Sequence, residues 1–580
     1  MSSTYDKHPY VEVTSDPADC DLGWPAIVER LYGSRSKGAR VICLECYPGV
    51  FEDEIVAALL GTFSPAEIFR TRECLRLPVE IDAMLARELS DDPVFGKLTS
   101  LELKDFFDAA ALDRLRYNIR KAERAAVVGT GAALAVDNPE LLVYADLARW
   151  EIQQRQRRRA IGNFATENLS VSAAEKYKRA FFVDWRVADS LKKLLLPTLD
   201  FLLDTNRPNE PKMISGGSFR QALAHTVTRP FRVQPFFDPG PWGGQWMRKV
   251  CDLPNDAPNY AWCFDCVPEE NSLLLGFGDR RVEVPAIDLV FSHPRELLGE
   301  AVHARFGTEF PIRFDFLDTM EGGNLSLQVH PLTEYIAQHF GMTYTQDESY
   351  YLLDSGQDSC VYLGLKENLD RPAMVRALWT AQEGGPPFCA DNYVNRWPAK
   401  KHDHFLIPAG TIHCSGSNSM VLEISATPYI FTFKLWDWGR LGLDGRPRPI
   451  HLERGIQNIQ WDRTTAWVER ELVNRVKEVA RGDGWTEERT GLHEREFIET
   501  RRHWFTKTVP HDTDGGVNVL NLAEGDTALV ESPQSNFDPF VVDYAETFIV
   551  PAQVGAYTIR PVGETSKPLG TIKAFVRTRA

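Results

Sequence analysis

The chain has 580 residues, 43% hydrophobic and 25% charged, a globular composition too long for one hydrophobic core, so about three domains of ordinary size are expected. A formal net charge of -16 argues against nucleic acid as the main partner, because phosphate binding requires a cationic footprint. No apolar run reaches the roughly 18 residues a membrane span needs and MSSTYDKHPYVEV is no leader, so the reading is a soluble cytoplasmic protein without a membrane partner.

Residues 1–205 alternate helical and strand-like patterns. ARVICLEC and AERAAVVGTG read as buried strands, FEDEIVAALLG as a helix entered after Tyr47-Pro48-Gly49, and LARWEIQQRQRRRA as a charged helix. An α/β layer domain is expected. ARVICLECYPGVFEDEI has the strand-turn-helix outline of a phosphate-binding loop and resembles nucleoside-monophosphate kinases in that outline. It lacks GxxxxGK[ST], and Glu52, Asp53 and Glu54 place negative charge where a nucleotide phosphate would sit, so the domain reads as a degenerate kinase-like layer without ATP activity. Gly129-Thr130-Gly131 begins like a dinucleotide-binding turn, but Leu134 stands where the third glycine belongs. The run Arg155 to Arg159 reads as a solvated helix face.

The polar stretch NRPNEPKMISGGS places a linker at 206–224. From 225 the texture changes to short strand-like segments separated by Gly, Pro, Asn and Asp, as in a sandwich or barrel of antiparallel strands. RTTAWVERELVNRVKEVARG reads as a helical interruption over 463–482, after which β character returns to 580. HFLIPAGTIH (404–413) matches TFIVPAQVGA (547–556) in its aromatic, apolar and Pro-Ala positions. The same strand-turn-strand device therefore occurs twice, with Ala556 where the first copy has His413. Cys43/Cys46 and Cys263/Cys266 form two CxxC pairs too far apart for a compact zinc ribbon, and both sit in strand-like core runs.

LSLQVHP sets Ser326, Gln328 and His330 at alternate positions of a strand-like run closed by Pro331, so a hydroxyl, an amide and an imidazole share one face. The Pro408-Ala409-Gly410 turn delivers His413. Gln328, His330 and His413 need a carboxylate to complete a neutralising shell, and Glu348 in QDESYYLLDSG is the best placed. His402 and His404 read as solvated loop residues. Glu423 is either an acid or base, or half of a structural salt bridge.

LSLQVHP, DESYYLLDSG, PAGTIHCSG, VLEI at 421–424, FTFKLWDWGR and the Trp242-Gly243-Gly244 triplet closely resemble the type I mannose-6-phosphate isomerases, zinc enzymes of the cupin superfamily. The resemblance covers about residues 230–580 in the family's order. It implies a metal-binding catalytic cupin domain at 225–462 and a second, metal-free, jelly-roll-like cupin at 483–580. It implies one Zn2+ per chain on Gln328, His330, Glu348 and His413, with Ser326 and Lys366 near a small-molecule sugar phosphate. The reaction implied is interconversion of mannose 6-phosphate and fructose 6-phosphate. Bacterial members write the last strand YRVYDYDR; here Lys434 stands at the arginine position assigned to catalysis and Arg440 at the end of the run, and these two are the catalytic candidates. Lysine offers a point charge without the guanidinium fork. Two other readings use the same residues: a sugar-phosphate-binding regulatory protein without catalysis, and an Fe(II) oxygenase, since two histidines and a carboxylate also suit that metal.

Overall fold

The computed structural model describes residues 4–13, 19–36, 39–60, 67–445, 447–491, 493–563 and 565–578. They divide into two compact units: Tyr10–Thr226 with Pro268–His293, and Met1–Pro9 with Val227–Val267 and Pro294–Ala580. No helix among the described residues is long and apolar enough to cross a membrane.

The first unit is an α/β layer. Its sheet contains β1 (Cys20–Leu22), β2 (Val41–Cys46), β3 (Glu67–Arg70), β4 (Ala125–Gly129), β5 (Leu141–Asp146), β6 (Phe201–Asp204) and β7 (Lys212–Ser215), in the order β1-β7-β6-β5-β2-β4-β3. The five strands from β2 to β6 run parallel, β7 is antiparallel to them, and β1, antiparallel to β7, runs in their direction again. All residues of VICLEC and LLVYAD are buried, as expected where helices cover both faces of a parallel sheet. The CxxC cysteines are free and buried.

Two sequence expectations change. Residues 206–224 are no linker: they contain β7 and most of the helix Gly216–Thr226. The Gly, Pro and Asn around them hide a helical period in which Phe219, Ala222, Leu223 and Thr226 are buried. Residues 268–293, expected inside the β region, belong to the α/β unit, where the hairpin Ser272–Phe277/Arg280–Pro285 pairs with Tyr10–Glu12.

The second unit is built of antiparallel sheets. Its metal-bearing part contains β8 (Phe236–Asp238), β9 (Trp262–Cys266), β10 (Ile312–Asp318), β11 (Leu327–Val329), β12 (Glu348–Ser355), β13 (Cys360–Leu365), β14 (Val394–Pro398), β15 (His404–Ile407), β16 (His413–Ser415), β17 (Ser419–Ala426) and β18 (Phe433–Trp436). One sheet has the order β15-β12-β17-β10-β9-β8 and the other β14-β13-β16-β11-β18. Beyond them, β19 (Lys477–Gly482), β20 (Trp485–Gly491) and β21 (Ile498–Phe505) open a six-stranded sheet that accompanies a four-stranded one. Phe505, Leu520, Val530, Phe548 and Tyr557 belong to a buried apolar cluster in this part of the chain.

The helix expected over 463–482 is shorter, Thr465–Glu471, and the segment ends in β19, Lys477–Gly482. Charged residues of ordinary helix propensity are here held by a hairpin with β20 whose two-residue Asp483-Gly484 loop, with Gly484 at φ 77°, is a strong local turn signal. The repeated device is present in both copies: β15, a turn and β16, then Thr547–Val550, a turn and Ala556–Pro561. The left-handed glycine of the second turn is Gly555, and that of the first is Gly410.

Candidate metal centre

Three short strands set the site. Gln328 on β11 is in register with His413 on β16 and with Lys434 on β18, so one rung carries all three side chains on the same face. His330 follows two residues later on that face, and Glu348 opens β12. Ligand atoms of His330, Glu348 and His413 all lie within 4.8 Å of one another, the one such group of His, Cys, Asp and Glu among the described residues, and all three are buried.

His413 Nε2 is 2.8 Å from Glu348 Oε1, and His330 Nε2 is 3.2 Å from Glu348 Oε2. Each imidazole is oriented from behind: Nδ1 of His330 faces the Phe431 carbonyl at 3.2 Å, and Nδ1 of His413 faces the Thr411 carbonyl at 2.9 Å. Donation from Nδ1 leaves both Nε2 lone pairs aimed at the same point, the tautomer a metal ligand requires. The carboxamide of Gln328 lies 3.2 Å from His413 Nε2, and a half-turn of that amide presents its oxygen there.

These residues fit a divalent cation. With Nδ1 carrying the proton in both rings, the buried His330 Nε2 and Glu348 Oε1 face only other acceptors, which is costly unless something electropositive lies between them. Burial alone would raise the Glu348 carboxyl, but His330 and His413 beside it prevail and hold it well below the usual carboxylate range. Two imidazoles, a carboxylate and an amide oxygen form a neutralising borderline set.

The turn before His413 is braced. Gly410 has φ 86°, and a Cβ there would meet Gln460 Cγ at 2.7 Å and the Asn458 carbonyl oxygen at 2.9 Å. Buried Arg463 donates to the carbonyls of Pro408 at 2.7 Å and Ala409 at 2.8 Å, and to Thr411 Oγ1. These contacts fix the backbone carbonyl that orients His413.

A cavity of about 330 Å³ reaches Gln328 and is walled by Ser326, Lys434, Arg448, Arg313, Asp315 and Glu423, with Trp242, Trp262 and Tyr429 as aromatic surface. Ser326 and Lys434 are therefore brought together with the metal group. Burial, reinforced by Arg448, draws the Lys434 ammonium down to about 7. Arg448 donates to Asp437 Oδ2 at 2.6 Å and to Ser326 Oγ at 3.3 Å. Arg440 is not in the cavity wall: it donates to Asp437 Oδ1 and to the Asn324 carbonyl. Lys366 lies on the exposed surface and donates to the Asp391 carbonyl.

Arg448, Arg313 and Asp315 went unnoticed in the sequence. Cross-strand register joins Asp315 to Glu423 and Glu423 to Tyr350 in one rung, and Arg313 pairs with Asp315 while stacking over Tyr429 at 4.2 Å. Burial pushes Asp315 up to about 7, and burial, with Glu348 and Asp315 nearby, raises Glu423 well above its usual value. The alternation RFDFLD was the available signal, since a buried strand with inward Arg and Asp needs a polar destination.

His404 departs from the solvated loop expected of it. It is fully buried at the start of β15, its ring edge-on to Tyr351 and both ring nitrogens without a partner. His402 is half-buried and bonds the Tyr351 hydroxyl at 2.9 Å.

In the α/β unit, the backbone amides that could cradle a phosphate are already taken. Glu45 on β2 accepts from Gly131 N and Ala133 N, both at 2.7 Å, and Glu52 accepts from Thr130 N at 3.1 Å. Of the arginine run, Arg157, Arg158 and Arg159 are exposed as expected, but Arg155 is buried and donates to the carbonyls of Gly49, Thr205 and Asn206.

A family profile described as a domain of unknown function (DUF8485) matches residues 23–228. Mannose-6-phosphate isomerase ManA of Bacillus subtilis (strain 168) is 26% identical over 244 residues, 40% of this chain and 69% of that protein. Mannose-6-phosphate isomerase of Streptococcus mutans is 27% identical over 221 residues, 37% of this chain and 63% of that protein. The similar proteins are sugar-phosphate isomerases by name. A crystal structure of the mannose 6-phosphate isomerase from Bacillus subtilis aligns with a TM-score of 0.48 at 18% identity, covering 60% of this chain and 99% of that one.

Proposed function

We propose that this chain is a zinc-dependent aldose-ketose isomerase that interconverts mannose 6-phosphate and fructose 6-phosphate in the cytoplasm. The observation that carries the reading is the convergence of His330, Glu348 and His413 beside Gln328, which faces a cavity lined by Lys434, Arg448 and Ser326. Zinc bound there would supply Lewis acidity toward the sugar oxygens. Arg448, fixed by Asp437, and the Ser326 hydroxyl offer donors for anionic or hydroxyl oxygens of the substrate. Moving a proton between adjacent sugar carbons needs a group that changes protonation near neutral pH; Asp315, raised by burial to about 7, and Lys434, lowered by it to about 7, face the cavity with that property, beside Glu423, which burial also raises. The aromatic walls exclude water from the reacting carbons.

A regulatory sugar-phosphate-binding protein is the second reading. It is favoured by Lys434, whose charge is half lost near pH 7 and which has no planar fork to grip two oxygens. We infer further that the α/β unit is a kinase-like layer without nucleotide chemistry, supported by Glu45 and Glu52 on the amides a phosphate would need. A coupled assay with mannose 6-phosphate, glucose 6-phosphate and unphosphorylated mannose on zinc-loaded protein tests the function. Turnover of the first alone supports the isomerase, and saturable binding without turnover supports the regulator.

A further inference from the structure

A second polar cavity lies apart from the metal group and takes no part in the proposed isomerase chemistry. The β19–β20 hairpin sets Lys477 directly opposite Arg489, and the β20–β21 pairing sets Arg489 opposite Arg501. Like charges directly opposed on neighbouring strands destabilise a sheet. Arg501 is relieved by Glu499 and Glu487. Lys477 and Arg489 have no such relief: among the described residues, neither makes a salt bridge, and nor do Arg475 and Arg495. These four cations line one cavity of about 650 Å³ together with Trp467 and His493. Two carboxylates share it, Glu494 and Glu471, and Glu471 is already paired with Arg470 at 2.6 Å. The result is a concave, net-positive site in a chain whose formal charge is -16.

We propose that this cavity binds a small molecule bearing a diphosphate or two phosphate groups. Guanidinium forks match phosphate oxygens two at a time, and several unpaired arginines around one hollow suit a ligand with several such oxygens. A pocket of this volume selects a small molecule rather than an extended polymer surface. Trp467 supplies one flat aromatic wall, against which an organic portion of the ligand can rest.

The test is isothermal titration of the full, zinc-loaded chain with inorganic pyrophosphate and, separately, with ADP, both without magnesium at about 0.15 M salt. Saturable binding at one site per chain is expected. Arg475→Gln/Arg489→Gln should weaken it by at least about tenfold, the scale of a lost charge-assisted hydrogen bond. Arg475→Lys/Arg489→Lys should keep most of the affinity, which separates charge from damage to the fold. Lys434→Ala and His413→Ala should bind as the parent does, which separates this site from the metal pocket and from chelation. Tighter binding of ADP than of pyrophosphate would assign a nucleotide-like ligand using Trp467, and equal binding would assign the diphosphate alone. Absence of saturable binding up to about 10 mM, binding indifferent to the Arg→Gln pair, or binding lost in His413→Ala would each overturn the proposal.

Discussion

Replacing His413 by alanine should empty the metal centre while leaving the β layers folded. His413 is fully buried, with Nε2 2.8 Å from Glu348 Oε1 and 3.2 Å from the Gln328 amide, so its imidazole stands between two of the other proposed ligands. Protein-bound zinc of the tetrahedral kind is held by about 10–16 kcal/mol in total; divided over four ligands, one is worth about 2.5–4 kcal/mol, or roughly a 10²- to 10³-fold loss of affinity. The remaining set, His330, Glu348 and Gln328, keeps one strong imidazole and should retain only weak binding. The assay is elemental analysis of purified parent and variant, followed by competition against a chelator of known affinity, with circular dichroism confirming the β signal. About one zinc per parent chain and almost none in the variant is the expected result. Unchanged metal content in His413→Ala would refute the ligand assignment and with it the reading of the β11–β16 rung.

Lys434→Ala should lower turnover of mannose 6-phosphate by about 10²- to 10³-fold with zinc still bound, whereas Lys434→Arg should retain or raise it, because a fork can replace a point charge where space allows; full activity in the alanine variant would make Lys434 structural. His404 supplies a pH signature of stability: burial, assisted by Arg502, holds its imidazole down to about 3 against an ordinary 6.5. As pH falls through that window the unfolded chain takes the proton first, so stability drops with acidification. Between pH 7.5 and 5 the parent should lose roughly 2 kcal/mol more than His404→Leu in denaturant titrations, and equal losses would count against the burial account. With the second cavity disabled by Arg475→Gln/Arg489→Gln, ATP with magnesium should show no binding at millimolar concentration, since Glu45 and Glu52 occupy the amides of the Gly129-Thr130-Gly131 turn; saturable micromolar binding in that variant, which needs about 8 kcal/mol, would contradict it.

The metal group was legible because its geometry is local. Ser326, Gln328 and His330 share a strand face by simple alternation, and Pro408-Ala409-Gly410 announces a turn whose left-handed glycine the packing around Gln460 and Asn458 demands. The buried runs VICLEC and AAVVG were equally plain, being apolar on both faces. The cavity walls were not plain, because Asp315 meets Glu423 only through a cross-strand register, and Arg448 reaches Ser326 only through the fold of the chain after β18. Pairings at that sequence distance leave no local pattern. Local chemistry also misled in places: the charges of 473–482 resemble a helix until the Asp483-Gly484 loop is weighed, and the polar flanks of Gly216–Thr226 disguise a helix as a linker. His404 looked solvated because it stands just before the apolar run FLIP, yet the register of β15 with Tyr351 buries it.

The central claim, a metal-dependent isomerase, is tested most directly by adding zinc back to metal-stripped protein while following turnover of mannose 6-phosphate. Stripped protein should be inactive, and activity should rise in proportion to added zinc and level off at about one equivalent per chain, with His413→Ala silent throughout. Full activity in the stripped protein, or no turnover after one equivalent is bound, would contradict the account.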